Sequence, residues 1–162
     1  MLAWAARVND PPELRGVAIE GLRRMARSDS SSGRTAAVEA LLGLAADTGA
    51  RDAPLAALAS LPDDVVEVIA GALTADRVAV RLAAVEALAR IRHPRASHAL
   101  TRALEDPAAA VRASAVAAFG RLGTPAARAL VENMQETDPD EGVRRRAATV
   151  CARHGWAKDA PH

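Results

Sequence analysis

The sequence predicts an all-α chain built as a stack of helical hairpins, and three observations predict it. A phrase recurs: Val80-Arg81 opens VRLAAVEALARI and Val111-Arg112 opens VRASAVAAFGRL, each after an acidic turn, at Asp76 and at Asp106. Self-similarity at a period of this size marks an array of repeated supersecondary units. Half of the residues are apolar, yet only 2% are aromatic and Tyr is absent, so alanine, the strongest helix former, carries much of the apolar content. Val/Ile-rich runs with two-residue alternation, the mark of half-buried strands, are missing.

The elements follow in order. Leu2 to Val8 reads as a short apolar helix closed by Asn9-Asp10, and Pro11 and Pro12 start the next, which runs to about Arg27. Ser28 to Gly33 reads as a polar loop and Arg34 to Ala46 as a helix, followed by the turn Asp47-Thr48-Gly49. A short helix from about Ala53 to Leu61 carries Pro54 in its first turn and stops at Pro62. Asp63-Asp64 place negative charge at the start of a helix that ends near Thr74. Val78 to Ile91, Arg95 to Leu104, Ala108 to Leu122, Ala126 to Gln135 and Glu141 to His154 are the remaining helices, punctuated by His93-Pro94, Pro107, Gly123-Thr124-Pro125 and Asp138-Pro139. The tail from Gly155 to His162 reads as frayed.

The helices pair into five units, about 2–27, 33–61, 63–92, 94–122 and 124–154, in one domain. Each unit has a marker arginine: Arg15, Arg51, Arg81, Arg112 and Arg144, at steps of 36, 30, 31 and 32 residues. Around the helix, each marker sits beside an apolar stripe with small residues in the middle: Val80, Ala84, Ala87, Leu88 and Ile91 in the third unit, and Leu14, Ala18, Gly21, Leu22 and Met25 in the first. One hairpin cannot bury such a stripe, so the units must stack. The last helix breaks the pattern, with Arg146 where the third unit has Ala83 and His154 where it has Ile91. Polar replacement suits a terminal cap, with His154 half-exposed.

Each marker arginine follows an acid by four to six residues: Asp10, Asp47, Asp76, Asp106 and Asp138. Stacking is expected to align these into a structural ladder in which each arginine bridges its own turn and a neighbour's. Nine residues beyond the markers stand Arg24, Arg90, Arg121 and Arg153, with Ser60 in the second unit's place. Nine steps turn a helix by about half a circle, so this row lies on the other flank of the stripe. Together with Glu86, it is the expected contact surface for an acidic segment of a partner protein. Glu20-Arg24 and Glu86-Arg90 have the spacing of favourable i,i+4 pairs.

A helix, an acidic turn, VR, an AAVEAL-type helix and a short loop: this pattern resembles HEAT repeats, and among them the short bacterial kind named after phycobilisome lyases. The likeness is strongest over 62–122, and Pro54 departs from it. The resemblance implies an armadillo-like, right-handed α-solenoid (an α-α superhelix) of about five hairpins. Its second helices would line a concave face, and its usual role is a scaffold binding another protein. Enzymes of the wider family are tested residue by residue. The repeated His-Glu dipeptides of the di-iron hydroxylase-like members are absent, because none of His93, His98, His154 and His162 precedes a Glu. The basic, aromatic-lined surface of the DNA glycosylase-like members is not suggested, because Trp4 and Trp156 lie near the chain ends. Bilin lyase-like members work as paired subunits, so an accessory lyase or maturation role stays open.

Whole-chain chemistry narrows the rest. With 21 basic and 20 acidic residues, the net charge of +1 draws the chain neither to nucleic acid nor to an anionic membrane. A nucleic-acid role would rest on Arg144-Arg145-Arg146 with Arg153, which reads more simply as a soluble cap. The lone Cys151 excludes an internal disulfide and falls on a core stripe, as a buried thiol would. Phosphate-loop and metal-ligand spacings are absent, so no catalytic residue, metal or cofactor is singled out. Met1 to Val8 lacks the basic start of a leader, and no run reaches the ~20 apolar residues of a membrane span. The expectation is a soluble cytoplasmic scaffold whose partner is another protein, with end-to-end self-association through the apolar helix bearing Leu2 and Trp4 as a further contact.

Overall fold

The computed structural model describes residues 12–47, 51–91 and 93–156. These form nine α-helices: α1 (Pro12–Ala26), α2 (Ser31–Asp47), α3 (Asp52–Ala59), α4 (Val66–Gly71), α5 (Val78–Arg90), α6 (Pro94–Ala103), α7 (Ala109–Leu122), α8 (Pro125–Thr137) and α9 (Glu141–His154). No strand occurs among the described residues. The helix expected over 2–8, with Leu2, Trp4 and the self-association assigned to it, lies outside them, as does Asp10.

Local chemistry sets the ends. Pro94 and Pro125 open α6 and α8, where a missing N–H costs nothing. The residues before them cap: His93 Nδ1 accepts from the N–H of Arg95 at 3.2 Å, and Thr124 Oγ1 from that of Ala127 at 3.2 Å. The Asp140 carboxylate caps α9 by accepting from the Val143 N–H at 3.0 Å. Gly123 and Gly155, at φ 63° and 64°, supply the left-handed residue that ends α7 and α9.

Several boundaries differ from expectation, each for a visible reason. α2 begins at Ser31 rather than Arg34, because Ser30 Oγ accepts from the Gly33 N–H at 3.2 Å and turns half of the expected serine loop into a cap and first turn. α3 ends at Ala59, where Ser60 Oγ donates back to the Ala57 carbonyl at 2.7 Å. Residues 63–74 form no single helix: 3-10 turns at Asp63–Val65 and Ala72–Thr74 flank a six-residue α4. Val65, Val66, Val68 and Ile69 are β-branched and Gly71 follows, a poor combination for a long helix. Gly155 and Trp156 are not frayed, for the Trp156 N–H donates to the Cys151 carbonyl at 2.8 Å and its side chain packs on the core.

The second helices of the units pack in a row, α1 on α3, α3 on α5, α5 on α7 and α7 on α9. The first helices α2, α4, α6 and α8 form an outer layer, each on its own second helix. Because α3 spans only eight residues, α2 also reaches α5. Between the layers lie Leu22, Leu41, Leu58, Ile69, Leu88 and Leu100, all fully buried. Burying each such side chain contributes about 1.5–3 kcal/mol. The expected stripes are buried at Ala84, Ala87 and Leu88, and at Val111, Ala115, Ala118 and Phe119. Leu14 is an exception at 53% exposed, and Val17 is 70% exposed on the same helix. His154 is exposed rather than half-exposed, and stacks on Trp156 with ring centroids 4.5 Å apart. None of the described helices is long and apolar enough to cross a membrane.

Candidate functional site

Two sets of side chains stand out, one at the turns and one on the row of second helices. At the turns, four markers repeat one contact. Arg51, Arg81, Arg112 and Arg144 each donate to the backbone carbonyl six residues earlier, on Ala45, Ala75, Asp106 and Asp138, at 2.7–3.0 Å. Two of them also clamp the next unit. Arg81 gives Nε and Nη2 to the Asp106 carboxylate at 2.8 and 3.1 Å, and Arg112 gives the same fork to Asp138 at 2.8 and 2.9 Å. Each carboxylate is further held by the N–H two residues on, from Ala108 and from Asp140, both at 2.8 Å. Asp106 and Asp138 are buried, and the Arg112 hydrogen bonds hold the Asp138 carboxyl below the usual carboxylate range, although burial opposes this. The same pairing raises the proton affinity of Arg112.

Register decides which acids join. Asp106 and Asp138 stand six residues before their markers; in the second and third units that place belongs to Ala45 and Ala75. Asp47 and Asp76, four and five residues before theirs, are exposed and receive no marker arginine on their carboxylates. Asp47 pairs with Arg77, and Asp76 contributes its carbonyl to Arg81 at 3.1 Å. Arg51 turns instead to Glu86 at 3.2 Å. Arg15 is half-buried on α1.

The second set lies on α5, α7 and α9. A hollow of about 490 Å³ is lined by Arg51, Glu86, Arg90, Ala113, Ala117, Arg121 and Arg146, among others. A second, of about 420 Å³, shares Ala117, Arg121 and Arg146 and adds Thr149, Arg153 and His154. The two make one groove across three helices, floored by small residues. Its charge is uneven. The expected i,i+4 pairs do not form: Glu20 pairs with Arg23 at 2.9 Å, Glu86 with Arg51, and Arg90 with Asp52 at 2.6 Å. Arg121, Arg146 and Arg153 have no carboxylate within ion-pair reach among the described residues. Burial lowers the proton affinity of Arg121, Glu86 opposes this, and Arg90 and Arg146 lower it further. Arg24, exposed on α1, is two helices along the row from α5.

A family model for HEAT repeats matches residues 65–152, which is more than half of the chain. The chain is a HEAT-repeat protein. Its fold is similar to that of a chain in the complex of CpcE and CpcF of phycocyanin lyase from Nostoc sp. PCC7120, with a TM-score of 0.56 and 16% identity over 92% of this chain and 95% of that one. An engineered protein is also similar, at a TM-score of 0.44 and 22% identity over 96% of this chain and 84% of that one. None of the curated proteins matches the HEAT chain in sequence.

Two residues of the HEAT stack escaped sequence reasoning. Arg146 reads as a cap residue until α9 is laid against α7, where it lines the same hollow as Arg121 and Arg153. Gly120 marks the close approach of those helices, because a Cβ there would lie 2.6 Å from Val150 Cγ1. Its signal was the glycine in a helix where the third unit has Ala89. Among the described residues no His/Cys/Asp/Glu cluster is arranged to hold a metal ion. The buried Cys151 thiol is pushed above its usual range by desolvation and by Glu132.

Proposed function

We propose that the protein is a scaffold that holds another protein against the face formed by its second helices. One observation carries the reading: the groove crosses α5, α7 and α9 without a break, joined at Ala117 and floored by alanine, glycine and short polar residues. Such a face is open and elongated, suited to a segment of another chain rather than to an enclosed small substrate. The tight row of second helices and the looser outer layer, where α4 meets α6 but α6 and α8 scarcely touch, support reading this face as concave. Arg121, Arg153 and Glu86 line the groove and are the contacts assigned to it. Arg24 and Arg90 would act at its N-terminal side, with Arg90 giving up Asp52 on binding.

A second reading, an accessory lyase or maturation subunit acting with a partner, is favoured by the likeness of fold to a chain of a two-protein lyase complex. Both readings need a protein on the groove. The test is site-specific photocrosslinking. A photoreactive residue at Ala117 is expected to crosslink one discrete protein in native extract, and the same residue at exposed Ala129 on α8 is expected not to. Ala117→Trp is expected to abolish capture while helicity is kept. Equal crosslinking from both positions would contradict the assignment of the face.

A further inference from the structure

We propose that the C-terminal end of the groove is an anion seat, in which Arg121, Arg146 and Arg153 receive the carboxylates of an acidic segment of the partner protein. The inference rests on the reading of this face as a partner surface and names the chemistry of what it takes. In the N-terminal half of the groove the cations are already answered, Arg51 by Glu86 at 3.2 Å and Arg90 by Asp52 at 2.6 Å. In the C-terminal half three guanidinium groups line one hollow with no carboxylate among the described residues, in a chain whose net charge is only +1. Arg121 is partly desolvated and is disfavoured by the charges of Arg90 and Arg146, and an arriving anion relieves that repulsion. Guanidinium forks take carboxylates in paired hydrogen bonds. The Thr149 hydroxyl on the same wall already donates to the Arg145 carbonyl at 2.9 Å, so the guanidinium groups carry the donors of the seat.

The seat belongs to the last unit. Arg146 stands in the register place of Ala83 and Ser114, so only α9 adds a cation there. Arg121 and Arg153 share the register of Arg90, and neither has the counterpart of Asp52. Two helix-to-helix steps, from α5 to α9, span roughly 16–20 Å. That length accepts about five or six residues of extended chain. A polynucleotide fits less well. The Glu86 carboxylate disfavours a backbone charged at every residue, whereas a peptide can place its carboxylates on the Arg121, Arg146 and Arg153 end alone. The one aromatic ring among the residues lining the two hollows, His154, is already stacked on Trp156, which leaves the bases no platform.

The test is fluorescence anisotropy on the full chain with a labelled peptide of alternating Glu and Ala. The same peptide with Gln for Glu and a labelled oligothymidylate are run beside it. The Glu peptide is expected to bind, and added salt is expected to weaken it. The Gln peptide is expected to bind at least about tenfold more weakly, one charge-assisted contact corresponding to roughly that factor. Arg146→Gln with Arg153→Gln should reduce Glu-peptide affinity at least about tenfold with an unchanged melting temperature, since neither side chain has a hydrogen bond or ion pair to another described residue to lose. Arg95→Gln with Arg102→Gln, the same charge change on the exposed surface of α6, should leave it unchanged. Three results would overturn the proposal: no binding of the Glu peptide, equal losses in the two double variants, or an oligothymidylate that binds more tightly in an Arg146-dependent way. If the peptide fails while Ala117→Trp still blocks native capture, the acidic chemistry is wrong and the groove stands. If both fail, the partner surface itself is wrong.

Discussion

The Arg112–Asp138 clamp gives the most quantitative prediction. Asp138→Asn keeps the shape of the side chain and removes its charge. In the native protein the carboxylate accepts from Arg112 Nε at 2.8 Å, from Arg112 Nη2 at 2.9 Å and from the Asp140 N–H at 2.8 Å. The amide can keep one oxygen acceptor but must turn an NH₂ toward a guanidinium, so one fork bond becomes a donor–donor contact. Arg112 would then keep one bond to the amide oxygen and the carbonyls of Asp106 at 2.8 Å and Pro107 at 3.3 Å. The Asp138 side chain is 1% exposed and that of Arg112 11%, so water can replace the lost partner only in part. Removing one partner of a fully buried pair costs about 3–5 kcal/mol, and the remaining solvent access at Arg112 brings the expectation to roughly 2–3 kcal/mol. For a chain of this size that is about 5–10 °C in melting temperature. The pH dependence has a definite sign. A carboxyl whose folded pKa is depressed contributes stability above its unfolded pKa, about 3.9, and loses it as the pH falls through the lower folded value. Thermal melts should therefore show the full gap between wild type and Asp138→Asn at neutral pH, and a gap that closes below about pH 4. A loss under about 0.5 kcal/mol at neutral pH, typical of a surface substitution, would refute the clamp.

Gly120→Ala should destabilise by about 1–3 kcal/mol in spite of its better helix propensity, because the new methyl meets Val150; Val150→Ala should restore most of the loss in the double variant. Leu88→Ala, at a fully buried position between the layers, should cost about 2–5 kcal/mol in denaturant melts, whereas Leu14→Ala, 53% exposed, should cost under about 1 kcal/mol. Cys151 should react with a thiol reagent only at the rate of local or global opening, since it is buried and its pKa is raised. A fast phase in native buffer would contradict that burial.

Much of the fold was legible because stacking demands periodicity, and periodicity is a sequence property. Each second helix carries its stripe in the same register relative to a marker arginine, so Arg81, Arg112 and Arg144 and the buried Ala84, Ala115 and Ala147 can be found by counting. The acids were harder. A window of four to six residues admits five aspartates, but only Asp106 and Asp138 occupy the position where the turn aims a carboxylate at the preceding unit, and a shift of one residue leaves Asp76 in solvent. Caps such as Ser30 compete with loop propensity over one turn, which is why α2 starts early. Cross-helix geometry leaves the weakest trace. Nothing along the chain pairs Arg90 with Asp52, 38 residues away, or brings Arg146 beside Arg121.

The central claim is that consecutive hairpins lie side by side in one row, with α5, α7 and α9 in order. Spin labels at positions 90, 121 and 153, one at each corresponding place on these helices, test it directly, with the buried Cys151 replaced by Ala. Neighbouring labels should be separated by about one helix spacing, 8–10 Å between axes, and the outer pair by about twice that. An outer-pair distance no longer than the neighbouring ones would mean a closed bundle and would contradict the account.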